Sequence, residues 1–90
     1  MKRDEIFSVL YDIMKNHLEL PTISKFHEHA RLNDDLFMDS ILILQLILHL
    51  EVHHQFEIPD EMIVARDFQT VGSLVSLLER ILISQSGGVQ

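Results

Sequence analysis

Apolar residues recur along this chain at helical spacing in three stretches. Ile6, Val9, Leu10, Ile13, Met14 and His17 or Leu18 fall three and four residues apart, which predicts a first helix from Asp4 to about Leu18. Asp4 and Glu5 suit its positive N-terminal end. Leu20-Pro21 stops it, because the residue before a proline is pushed out of the helical region. Near the other end, Val71, Leu74, Val75, Leu78, Ile81 and Leu82 draw a clean stripe for a last helix, with Thr70 at its N-cap. Between the two, Asp39 to about Gln55 predicts a second helix whose Ile43, Leu46, Ile47, Leu50 and His54 gather on one side and face the core.

The joints are equally readable. Phe56-Glu57-Ile58-Pro59 reads as an extended connector, and Asp60 as the cap of a short third helix through about Val64. Arg66 to Gln69 is a further connection anchored by Phe68. From Glu19 to Met38 no period is sustained over about twenty residues, a length that in a small domain marks a functional or disordered loop. Ile23, Phe26, Leu32 and Leu36 are its expected anchors, and Leu32-Asn33-Asp34-Asp35 its turn. The expectation is an all-α fold: a four-helix bundle of three longer helices plus a short third one. It forms a single domain over residues 1–83, with a flexible tail over 84–90.

The second helix does not fit an ordinary surface helix. Asp39 can cap it with a side-chain oxygen, and Ser40 falls in its first turn. Seven of the next eight residues are apolar. The side away from the core carries Ile41, Gln45, Leu48 and Val52, flanked by Leu44 and His49, where polar residues would be usual. That pattern predicts an outer face that meets a partner.

Composition sharpens this. Ninety residues, 47% of them hydrophobic and none of them cysteine, support one small core without disulfides or a cysteine-based zinc site. No apolar run reaches membrane-span length, and Met1 to Glu5 lacks a signal-peptide segment, so a soluble cytoplasmic monomer is expected, with no membrane role. The formal charge of −7 is unevenly placed. Asp34, Asp35, Asp39, Glu51, Glu57, Asp60 and Glu61 occupy a window without Lys or Arg, while the remainder holds seven acids and seven bases. The whole net charge therefore lies in the window that contains Ser40, which disfavours nucleic acid and favours a basic protein partner.

Two chemistries compete for the remaining residues. The six histidines include His27-x-His29 and the group His49, His53, His54, but the loop separates them and no carboxylate pattern completes a ligand set. A Ser-His-acid hydrolase built on Ser40 lacks a Gly-x-Ser-x-Gly elbow and room for a cleft. No catalytic residue and no metal ligand is therefore assigned.

Asp39-Ser40-Ile41 resembles the Asp-Ser-Leu attachment motif of the acyl, aryl and peptidyl carrier proteins, with Ile41 in place of the usual leucine. The likeness runs without a gap through Leu46, Leu50-Glu51 and Glu57-Ile58-Pro59-Asp60-Glu61, and Phe68-x-Thr70-Val71 is similar to the family's entry into its last helix. The resemblance implies a carrier-protein bundle without catalytic activity of its own. A 4′-phosphopantetheine arm would be joined to Ser40 Oγ, with Asp39 helping to orient the arm and the enzyme that installs it. Its terminal thiol would hold a cargo as a thioester. The implied partners are a phosphopantetheinyl transferase, an acyl- or aryl-adenylating enzyme, and a downstream condensing or acceptor enzyme. Fatty-acid carriers differ in bearing acids where this chain has Leu42, Gln45 and Val52, and small residues where it has Phe37 and Met38. The expected docking residues are thus Phe37, Met38, Ile41, Leu42, Leu44, Gln45, Leu48 and Val52. The length and pattern look more like the aryl carriers of petrobactin-type siderophore assembly, which implies a dihydroxybenzoyl cargo. A fatty-acid or polyketide-type acyl carrier, or an unmodified helical adaptor using the same apolar face, are the alternatives.

Overall fold

A computed structural model describes residues 1–87, with side chains through Gln85. Within them the chain forms α1 (Arg3–Asp12), α2 (Ser40–His54) and α3 (Val71–Gly87), with short 3-10 turns at Ile23–Lys25, Asp60–Met62 and Ala65–Phe68. α1 continues without a break into one π-helical turn, Ile13–His17, closed by the Leu18 N–H on the Ile13 carbonyl at 2.9 Å. The all-α expectation is met, and the three long helices start within a residue of where the apolar periods place them.

Ile6, Leu10, Ile13 and Met14 from the first helical segment meet Leu46, Ile47 and Leu50 of α2 and Val71, Leu74, Val75, Leu77, Leu78 and Ile81 of α3 in one core. Thr70 caps α3 as expected: its Oγ1 accepts the Ser73 N–H at 3.0 Å, and Ser73 Oγ accepts the Thr70 N–H at 3.0 Å. The short third helix shrinks to the 3-10 turn at Asp60–Met62, with no side-chain cap. β-branched Ile63 and Val64 follow in extended backbone, where their stiff side chains are better accommodated than in a helix. Of the expected tail at 84–90, the stretch through Gly87 continues α3, and residues 88–90 lie outside the described ones. Gln85 supports the extension: its side chain accepts the Glu57 N–H at 2.8 Å and donates to the Gln55 carbonyl at 3.2 Å.

The long loop is ordered by backbone pairing with the entry to α3. The Leu32 N–H bonds to the Gln69 carbonyl, the Val71 N–H to Ala30, and the Gly72 N–H to Glu28, at 3.0, 3.0 and 2.8 Å. Gly72 is required by this approach, since a Cβ there would lie 2.9 Å from Glu28 Cγ and 3.0 Å from its carbonyl oxygen. Phe26 packs edge-on against Tyr11 of α1, with ring centroids 5.2 Å apart. The expected anchors Leu32 and Leu36 are buried, while Ile23 and Phe26 are half-buried.

One local device recurs three times. Glu19, Phe37 and Gln55 adopt left-handed backbone (φ 51°, 55° and 57°), and each precedes a buried apolar residue: Leu20, Met38 and Phe56. The N–H of that residue reaches back to the carbonyl of Met14, Leu32 and Leu50, respectively, at 3.0, 2.8 and 3.2 Å. This is the logic of a left-handed C-cap, in which an apolar residue just past the turn folds back onto the preceding segment.

The second case corrects an expectation. Met38, placed on the docking face by sequence, is 2% exposed and belongs to the core, because the turn at Phe37 drives the next side chain inward. Met38→Ala is therefore expected to cost about 2–4 kcal/mol of folding free energy by urea denaturation. Ile41→Ala, three residues on, should stay within about 0.5 kcal/mol. Equal losses at the two positions would contradict the assignment.

Candidate functional site

Ser40 is the first residue of α2 and is exposed. The residue before it, Asp39, has extended backbone (φ −86°, ψ −178°), and its Oδ1 accepts the Leu42 N–H at 2.9 Å. Such a cap contributes about 1 kcal/mol and fixes where the helix begins. The Asp39 carbonyl accepts the Ile43 N–H, so the N–H groups of Ser40 and Ile41 are left without an intrahelical acceptor. A phosphate ester on Ser40 would lie beside those N–H groups and the positive end of a 15-residue helix. The residues present thus fit an anionic group attached to the Ser40 hydroxyl.

The outer face of α2 is as apolar as its sequence suggests. Ile41, Leu44, Leu48 and Val52 are between 49% and 65% exposed, and Gln45 is exposed among them. Leu42 departs from expectation: it is half-buried and packs against the core cluster, so it lies at the margin of that face. Phe37 is 63% exposed, with Lys25 Nζ 5.4 Å from its ring centroid. A cation–π contact of this exposed kind contributes about 0.5–1 kcal/mol. Of the eight expected docking residues, six are surface-exposed, Leu42 is marginal and Met38 is internal.

Sequence reasoning missed His17 as a neighbour of the second helix. The π-helical turn at Ile13–His17 swings its ring to 4.8 Å from that of His49, which in turn stands 5.4 Å from His53, centroid to centroid. His17 Nε2 also lies 3.8 Å from Asp12 Oδ2. Only the extra residue in that turn brings His17 to this position, and no spacing rule flags it. Among the described residues, no three His, Asp or Glu side chains converge as a metal site.

The phosphopantetheine attachment site family matches residues 8–78 of this chain. The chain is 33% identical over 81 residues to the acyl carrier protein AsbD of Bacillus anthracis, covering 90% of this chain and 89% of that protein. It is 34% identical over 79 residues to an acyl carrier protein of Lactobacillus acidophilus, covering 88% of this chain and 95% of that one. A helical bundle that presents a capped, exposed serine is the architecture of a carrier protein. The chain belongs to the phosphopantetheine-bearing carrier family, and its cofactor is a covalently attached phosphopantetheine. Members of that family work with a phosphopantetheinyl transferase and with biosynthetic enzymes, generally without catalytic activity of their own.

The histidine group gives this face a pH dependence. Partial burial, and then the charges of His17, His53 and His54, hold His49 below its ordinary pKa of 6.5. A base with a lowered folded-state pKa binds fewer protons folded than unfolded. Its contribution to stability is complete above 6.5 and is lost as the pH falls through 6.5 toward the folded value. The His49 ring should titrate below 6.5 by NMR. The urea midpoint should fall between about pH 7 and about pH 5, and fall less in His49→Gln. Titration at or above the ordinary value would contradict the arrangement.

Proposed function

We propose that the phosphopantetheine of this carrier is joined to Ser40 Oγ. On this reading the chain shuttles a thioester-bound acyl or aryl group from an adenylating enzyme to an acceptor enzyme. The observation that supports this most is the exposure of Ser40 in the first turn of α2, next to a capping carboxylate and an apolar outer face. A serine kept for packing would be buried, whereas Ser40 is exposed. Asp39 serves as helix cap and as a fixed anionic mark beside the attachment point for the installing transferase.

Docking falls to Ile41, Leu44, Gln45, Leu48 and Val52, with Phe37 at the head of the face. Exposed apolar area with few charges discriminates between partners by shape and packing more than by charge steering. That supports a carrier of siderophore or related secondary-metabolite assembly, with a dihydroxybenzoyl group as cargo, acting as a cytoplasmic monomer. The surrounding acids add an attraction for a basic rim on the partner.

The test has two stages. Incubation with coenzyme A and a permissive transferase should add one phosphopantetheine by intact mass, and Ser40→Ala should abolish the addition. Presented with adenylating enzymes, the modified protein should be loaded by one that activates dihydroxybenzoate. An addition that survives Ser40→Ala would overturn the attachment point. Loading only by fatty-acyl-activating enzymes would overturn the aryl cargo in favour of an acyl one.

A further inference from the structure

Phe37 does nothing visible for the fold. It is 63% exposed, so it contributes little to the core, and its φ of 55° is a conformation that glycine adopts freely and an aromatic residue does not. Its position is nevertheless well fixed. The Phe37 N–H bonds to the Asn33 carbonyl at 3.1 Å, and the Met38 N–H bonds to Leu32 on its other side. Thr22 Oγ1 donates to the Leu36 carbonyl at 2.7 Å, tying the segment that carries Lys25 to the segment that carries Phe37. Lys25 Nζ then sits over the Phe37 ring at 5.4 Å.

Phe37 lies near the attachment point along the chain, and Lys25 lies against Phe37. Phe37 and Ser40 are three residues apart, a span of at most about 11 Å even in extended chain. The window from Asp34 to Glu61 holds seven acids and no Lys or Arg, so beyond the N–H groups at the start of α2 it offers a phosphate on Ser40 no lysine or arginine partner. Lys25 brings a cation against Phe37 from the far limb of the loop. An ammonium group over an aromatic face offers an anion partner and an apolar surface side by side.

We propose that Lys25 and Phe37 form a shelf for the prosthetic arm, with the Lys25 ammonium paired to its phosphodiester and the Phe37 ring against its dimethyl-bearing segment. This rests on the attachment to Ser40. The shelf positions the arm and takes no part in chemistry at the thiol. The Phe37 ring is exposed on a left-handed residue, and so is open to an arm rooted three residues on. The pairing is solvent-exposed, so added salt weakens it.

The test uses the chain in its phosphopantetheine form, with one addition confirmed by intact mass. Isotope-filtered NOEs from the unlabelled arm to the 13C-labelled protein should connect the arm's methyl groups to the Phe37 ring. The Lys25 side-chain resonances should shift on modification, less so at high salt. Phe37→Gly should lose the arm–ring NOEs, and Lys25→Glu should weaken them, while both exposed-site variants keep the helical circular dichroism. A modified protein whose arm shows no NOE to Phe37, and whose Lys25 signals do not move, overturns the shelf and leaves the attachment standing. Failure to add the arm at all overturns both.

Discussion

The hydrogen bond from the Met38 N–H to the Leu32 carbonyl is the constraint on which the site depends. It closes a left-handed turn at Phe37, buries Met38 in the core and leaves the chain in extended geometry at Asp39, from which α2 can start. Because Met38 is packed and Asp39 caps Leu42, the position of Ser40 has little freedom. The other end of the same loop is held by backbone pairing of Glu28 to Leu32 with Gln69 to Gly72. A twenty-residue connection is thereby turned into a fixed support. Delivery of a tethered group needs such support, since the tether itself is flexible and only its root can be placed.

The two faces of α2 divide the work. Leu46, Ile47 and Leu50 are committed to the core, so the helix cannot roll to hide Ile41, Leu44, Leu48 and Val52. Those side chains remain exposed to water. The acids around Ser40 make the same region unattractive to nucleic acid and to other acidic surfaces. His17, His49 and His53 border the face, with successive ring centroids 4.8 and 5.4 Å apart. On the proposed reading, recognition here combines apolar area with a negative field.

The bundle was legible because its apolar stripes keep helical period over three long stretches, and because Thr70, Asp39 and the two prolines mark ends by local chemistry. The Asp-Ser-Ile stretch was legible for the same reason: a capping residue announces a helix start, and the serine comes next. What escaped depends on backbone geometry that no side-chain period encodes. Met38 reads like a surface residue beside Phe37 until the left-handed turn between them is known, and neither Glu19, Phe37 nor Gln55 is the glycine that would have signalled one. His17 reaches His49 only through a π-helical turn, and the short third helix is cut to a 3-10 turn where Ile63 and Val64 take extended chain.

The central claim is that one side chain, Ser40, roots the arm. The sequence makes this directly measurable, because trypsin releases residues 32–66 as a single peptide in which Ser40 is the only hydroxyl-bearing side chain. Tandem mass spectrometry of the modified protein should find the phosphopantetheine on that peptide and nowhere else. An arm on a peptide carrying Ser8, Ser24, Ser73 or Ser76, with residues 32–66 unmodified, would contradict the account.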